Sequence, residues 1–131
     1  MFITSSEIRD LTSFEEVREL SDTDIKRYIE RADAWIRRAT SRDFSETENT
    51  FIQADMRTAT LLLVEYIWYW DNPEPKEEAM SHDEIIRLGS FTVHKESARS
   101  GELTGMDELD FILKTYRYKP TVGLFQVLRK G

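Results

Sequence analysis

Residues 51–70 read FIQADMRTATLLLVEYIWYW, and this stretch decides the fold class. After Thr60 it holds few polar side chains, and its apolar positions recur at helical rather than alternating intervals. Met56, Ala59, Leu62, Leu63, Tyr66, Ile67 and Trp70 form one stripe, while Leu61, Val64 and Trp68 carry the apolar surface further around the cylinder. A helix with so little circumference left for water needs neighbours on several sides, so it is expected to be the central helix of a bundle. The apolar part from Leu61 to Trp70 contains Glu65 and is about half of the ~20 residues that a bilayer requires, which argues against a membrane span. Glu65 is expected to pair with a nearby arginine or to reach the surface. Asp71, Asn72, Pro73 and Pro75 end the helix, because proline lacks an amide donor and disfavours helical geometry in the residue before it.

Upstream, Ser21 followed by Asp24 marks a helix start, with Leu20 placed to pack on Ile25. Ile25, Tyr28, Ile29, Ala32, Ile36 and Ala39 then keep helical spacing, so one stripe faces a core. Thr4 and Glu7 have the spacing of a capping box, Ile3 can staple against Ile8, and a first short helix is expected to run to about Leu11. Ser13 with Glu16 repeats the signal and predicts a second short helical turn through Leu20.

Downstream, Ser81 with Glu84 is a plausible cap, but Phe91, Thr92 and Val93 favour strand and Gly89 suggests a turn, so residues 85–93 are expected to form a small hairpin or extended loop. Residues 97–105 are polar and contain glycine, and are expected to be mobile. Thr104 with Asp107 predicts the cap of a last helix bearing Met106, Leu109, Ile112, Leu113 and Tyr116, ended by Pro120. The stretch from Thr121 to Leu128 is strand-like. The expectation is an all-α protein: one domain over 1–131, a small helical bundle with a long central helix in a core of about 4–117. A loop of about 72–104 and an extended C-terminal tail, 118–131, complete it.

With 131 residues, 40% hydrophobic and 33% charged, the chain has apolar mass for a real core and a well-solvated surface. It has no cysteine, which removes disulfides, thiolate nucleophiles and sulfur-ligated metals. Eighteen basic and 25 acidic residues give a net charge of -7, against the basic surplus of a generic phosphate-backbone binder. Residues 1–10 lack a basic start followed by an apolar run, so no secretory signal is expected and the protein should stay in the cell that makes it.

No motif for catalysis stands out. No sharp turn presents a serine beside a base, His82 and His94 lack a paired metal spacing, and the five glycines are isolated rather than forming a phosphate cradle. No catalytic residue, cofactor or metal is therefore expected. The charges are more informative by position. Arg27, Arg31, Arg38 and Arg42 recur at intervals of four and seven, on one helix face opposite the apolar stripe, with Trp35 at its border. Asp71, Glu74, Glu77, Glu78, Asp83 and Glu84 oppose only Lys76, and from Lys114 onward the chain has no acidic residue. Arginine and tryptophan are enriched in interfaces, and arginine grips carboxylates with two parallel bonds. Candidate interface residues by charge are thus Arg27, Arg31, Trp35, Arg38, Arg42, Glu77, Glu78, Lys119, Arg129 and Lys130. A small DNA- or RNA-binding regulator using the arginine face is the alternative.

The order of elements also resembles a known family. A short N-terminal helix, an amphipathic helix closing with Ala32, Ile36, Thr40, Arg42 and Phe44, an aromatic-ended helix, a turn at Gly89 and Ser90 and a final helix reaching Tyr116 and Arg117 resemble the head-tail connector, or head-completion adaptor, family of tailed bacteriophages and prophages. The likeness extends from about Ile8 to Arg117. Where many members have an Asn-Arg pair after the aromatic run, this chain has Asp71 and Asn72, then prolines. The resemblance implies a helical bundle without enzymatic activity, assembled as a ring beneath the portal protein, extending the DNA channel and meeting a downstream connector or stopper protein; it also implies contacts through loops and tail, which adds Gly89, Phe91 and Phe125 to the candidate interface residues. It implies work in the bacterial cytoplasm during assembly and at the head-tail junction of the virion, with DNA only as channel contents and no membrane.

Overall fold

The computed structural model describes residues 2–72 and 97–118, which form five α-helices and, among the described residues, no strand. The fold is all-α, a small bundle. The expected hairpin or loop over 85–93 and the tail after Tyr118 lie outside the described residues.

Helix α1 spans Ser5–Leu11 and begins as the sequence indicates. The Thr4 hydroxyl accepts the Glu7 amide at 3.1 Å, the Glu7 carboxylate accepts the Thr4 amide at 3.2 Å, and Ile3 and Ile8 are both buried. Helix α2, Glu15–Arg18, is a single turn, followed by α3 over Asp22–Thr40. Ser21 caps α3 by accepting the Asp24 amide at 3.2 Å. Helix α4 runs Thr50–Asp71, its first turn satisfied by the Asn49 side chain, which accepts the amides of Phe51 and Ile52 at 2.9 and 3.2 Å. Helix α5 covers Asp107–Tyr116.

The central position of α4 follows from its burial. Every residue from Leu62 to Trp68 is buried, and α4 packs on both α3 and α5, which also touch each other. α1 packs on α2 and α3 at one flank. Aromatic rings knit the layers together: Phe14 meets Trp68 with centroids 5.0 Å apart, and Trp35 meets Tyr66 edge-on at 5.7 Å. Large apolar side chains taken fully out of water contribute roughly 1.5–3 kcal/mol each, and this offsets the entropy of ordering the helices.

Three local expectations are corrected by side-chain hydrogen bonds. Ser13 does not cap α2, whose N-cap is Phe14 without a side-chain bond. The Ser13 amide instead donates to Glu65 at 3.0 Å. Glu65 in turn does not reach the surface: it is 1% exposed, and the same oxygen accepts the Thr12 hydroxyl at 2.9 Å. At α5, Thr104 and Asp107 do not form the cap. Asp110 reaches back to accept the Thr104 amide and hydroxyl at 2.8 and 2.9 Å and the Gly105 amide at 2.7 Å, which occupies a carboxylate buried in the first turns. Helix α5 ends within a residue of its expected limit, before Pro120. It stops at Tyr116, and the next residues turn onto the end of α3: the Tyr118 amide donates to the Thr40 carbonyl at 2.7 Å and the Arg117 guanidinium to the Ala39 carbonyl at 3.4 Å. These are carbonyls that a helix end leaves without intrahelical partners.

Candidate interaction surface

Arg27, Arg31 and Arg38 lie along α3, all three exposed, as their spacing requires. Arg42 is not on this helix. Ser41 closes α3 in the left-handed region at φ 57°, so the regular rotation stops, and the Arg42 guanidinium sits 5.8 Å from the Tyr118 ring centroid. Trp35 does not border an exposed ridge either. It is 5% exposed, and its indole N–H donates to the Glu102 carbonyl at 2.8 Å. At four residues past Arg31 it points between α3 and the segment before α5, where an indole finds both apolar cover and an acceptor.

The three arginines of the face are held differently. Arg31 makes a two-pronged pair with Asp71, Nη1 to Oδ2 at 2.5 Å and Nη2 to Oδ1 at 3.3 Å. That hydrogen-bonded carboxylate raises the guanidinium above its ordinary pKa, and the same guanidinium lies 5.6 Å from the Tyr28 ring centroid. Burial is the main cause that pushes the Tyr28 phenol up. Asp71 ends α4, where the helix dipole disfavours a negative charge, so Arg31 offsets a local electrostatic cost. Arg38 donates to the Ser100 hydroxyl at 2.7 Å. Arg27 has the loosest contact, 3.9 Å to Asp24 one turn earlier.

Residues 97–102, expected to be mobile, are pinned against this face. The Ala98 amide donates to the Tyr66 hydroxyl at 2.9 Å, the Arg99 amide to the Glu102 carboxylate at 2.7 Å, and the Glu102 amide to the Arg99 carbonyl at 2.9 Å. Between this segment and α3 runs a groove of about 550 Å³ lined by Arg27, Glu30, Arg31, Ala34, Trp35, Arg38, Ile67, Ala98 and Ser100. A second cleft, about 730 Å³, lies toward α2 and the end of α4, and its lining includes Glu16, Glu19 and Asp24 with Arg27, Arg31 and Tyr28. No protein-family model, curated protein or solved structure matches this chain.

Sequence reasoning missed a further set of surface residues. Phe51 is 81% exposed at the start of α4 and Phe111 72% exposed on α5. Each carries a signal in hindsight: Phe51 precedes the first stripe position of α4, and Phe111 is off the stripe of Leu109, Ile112, Leu113 and Tyr116. Glu77, Glu78, Gly89, Phe91, Lys119, Phe125, Arg129 and Lys130 lie outside the described residues. Among the described residues no three His, Cys, Asp or Glu side chains group as metal ligands, and no helix is long and apolar enough to cross a membrane.

Proposed function

We propose that the chain is a non-enzymatic structural adaptor of a tailed bacteriophage or prophage, which assembles as a ring on the portal protein at the head-tail junction and helps to form the DNA channel. The observation that carries this reading is the display of Phe51 and Phe111, 81% and 72% exposed, on a closely packed helical body. A phenylalanine left in water forgoes roughly 1.5–3 kcal/mol of burial, and covering it in a contact recovers that free energy. One such contact is weak, but repetition around a ring multiplies it into avidity. The order of helices that resembles the connector family supports the same reading. A net charge of -7 suits a channel wall, because like charge keeps passing DNA from sticking.

On this reading the partners are the portal, neighbouring copies of the chain and a downstream connector or stopper, with assembly in the host cytoplasm. Co-sedimentation with purified portal rings, followed by electron microscopy, tests it. The chain should be retained as a ring, and Phe51→Ser with Phe111→Ser should abolish retention while leaving the helical signal intact. Portal particles that never retain the chain overturn the proposal.

A further inference from the structure

We propose that the groove between α3 and residues 97–102 is a docking site for an acidic peptide segment that also carries an apolar side chain. Its floor is apolar, built from Ala34, Trp35, Ile67 and Ala98. Among the described residues its rim carries Arg27, Arg31 and Arg38 against a single acid, Glu30. At about 1.5 Å rise per residue, the spacings of four and seven place these guanidiniums about 6 and 10 Å apart along α3. A helix laid beside α3 with glutamates at the matching spacing meets Arg27 and Arg38, Arg31 between them staying with Asp71, and an apolar side chain between those glutamates enters the groove. The volume, about 550 Å³, falls within the range of roughly 300–1,000 Å³ usual for clefts that bury a ligand.

The site is built in advance. Trp35 ties the far wall to α3 through the Glu102 carbonyl, Tyr66 ties it to α4 through the Ala98 amide, and Ser100 holds Arg38 in place. Gly101 lets that wall come close: at φ 95° it lies where a Cβ would be 2.7 Å from the Arg38 Cβ. Fixed walls lower the ordering cost of binding. Among the described residues Arg38 meets no carboxylate, donating only to a hydroxyl, and the Arg27 side chain is 73% exposed. Both guanidiniums are available to a partner's carboxylates.

A peptide fits better than a nucleic acid. Single strands bind by stacking bases on exposed aromatic faces within a basic channel. Here Trp35 is 5% exposed with its indole N–H already engaged, Glu30 sits on the rim, and the protein as a whole is acidic. The inference needs neither a portal nor a ring, so it stands or falls apart from the adaptor reading.

The test is fluorescence anisotropy of the full chain with a labelled helical peptide that carries glutamates at the four- and seven-residue spacing and a leucine between them. A peptide with glutamine for each glutamate and a single-stranded oligonucleotide serve as the other arms. The glutamate peptide should bind at least about tenfold more tightly than the glutamine peptide, and its affinity should fall with salt. Arg38→Glu and Arg27→Glu should each weaken binding by about tenfold, and Ala34→Gln should block the groove without changing charge. Arg27 has only its long contact within α3, so Arg27→Glu keeps the test open if Arg38→Glu perturbs folding, as circular dichroism would report. Equal binding of the two peptides, no binding, or no response to the arginine variants overturns the proposal. Tighter binding of the oligonucleotide, with displacement of the peptide, overturns it in favour of nucleic acid.

Discussion

The Glu65 carboxylate accepts the Thr12 hydroxyl at 2.9 Å and the Ser13 amide at 3.0 Å, joining the middle of the bundle to the link between α1 and α2. A carboxylate that is 1% exposed is costly unless hydrogen bonds replace its water. These two donors come from one short link, so their bonds fasten the link against α4. The short helices α1 and α2 owe their placement to this anchor as much as to their own apolar residues.

Thr12→Val keeps the shape of the side chain and removes its donor. The variant should lose about 1–3 kcal/mol of stability, because a buried acceptor forfeits a partner. Urea denaturation measures this directly, and an unchanged midpoint would mean that the hydroxyl adds nothing.

Gly101→Ala should destabilise by about 1–3 kcal/mol, since alanine is strained at φ 95° and its Cβ would collide with that of Arg38. The Trp35 indole N–H resonance should shift as the wall is pushed from α3. A thermal midpoint within error of the parent, with that resonance unmoved, would count against the close approach.

Tyr116 donates its phenol proton to Asp55, and this bond is the first cause of a pKa pushed up to about 12 from 10.0. The raised value means that the folded state favours the protonated phenol, so the contribution is whole below pH 10 and is lost as pH rises from 10 to about 12. Tyr28 and Tyr66 are also raised by burial, so phenolate absorbance should show several late-titrating tyrosines, of which the phase near pH 12 is assigned to Tyr116 by its loss in Tyr116→Phe. In Asp55→Asn that phase should move back toward pH 10.

Asp33 has the opposite effect on stability. Burial raises its pKa above 3.8, and its Oδ1 has no hydrogen-bond partner among the described residues. Its ionised form thus penalises the fold above the folded pKa, and the penalty disappears as pH falls below 3.8. Asp33→Asn should raise the melting temperature at neutral pH, with the gain shrinking in acid. A lower midpoint at pH 7 would show that the carboxylate is favourable where it sits.

Much of the helical framework could be read from local residues. Thr4 with Glu7, Ser21 with Asp24, and the crowded apolar run after Thr60 act over one or two turns, and α1, α3 and α4 begin and bury as those signals indicate. What was illegible involves partners distant in the chain. Ser13 looks like a cap until Glu65 claims its amide, and Trp35 looks like the edge of a ridge until the Glu102 carbonyl claims its indole. On the candidate surface, spacing placed Arg27, Arg31 and Arg38 on one face. It could not show that Ser41 turns Arg42 away, nor that residues 97–102 would wall the face into a groove.

The bond from the Tyr118 amide to the Thr40 carbonyl also bears on the order of folding. The last turn of α3 is completed by a donor that is translated long after the helix itself. During synthesis the Thr40 carbonyl must stay with water until residue 118 emerges, so this part of the closure of the bundle is a late event tied to a contact of long sequence separation. In the finished chain the Tyr118 amide, and not an amide of α3, should report this closure by its protection from hydrogen exchange.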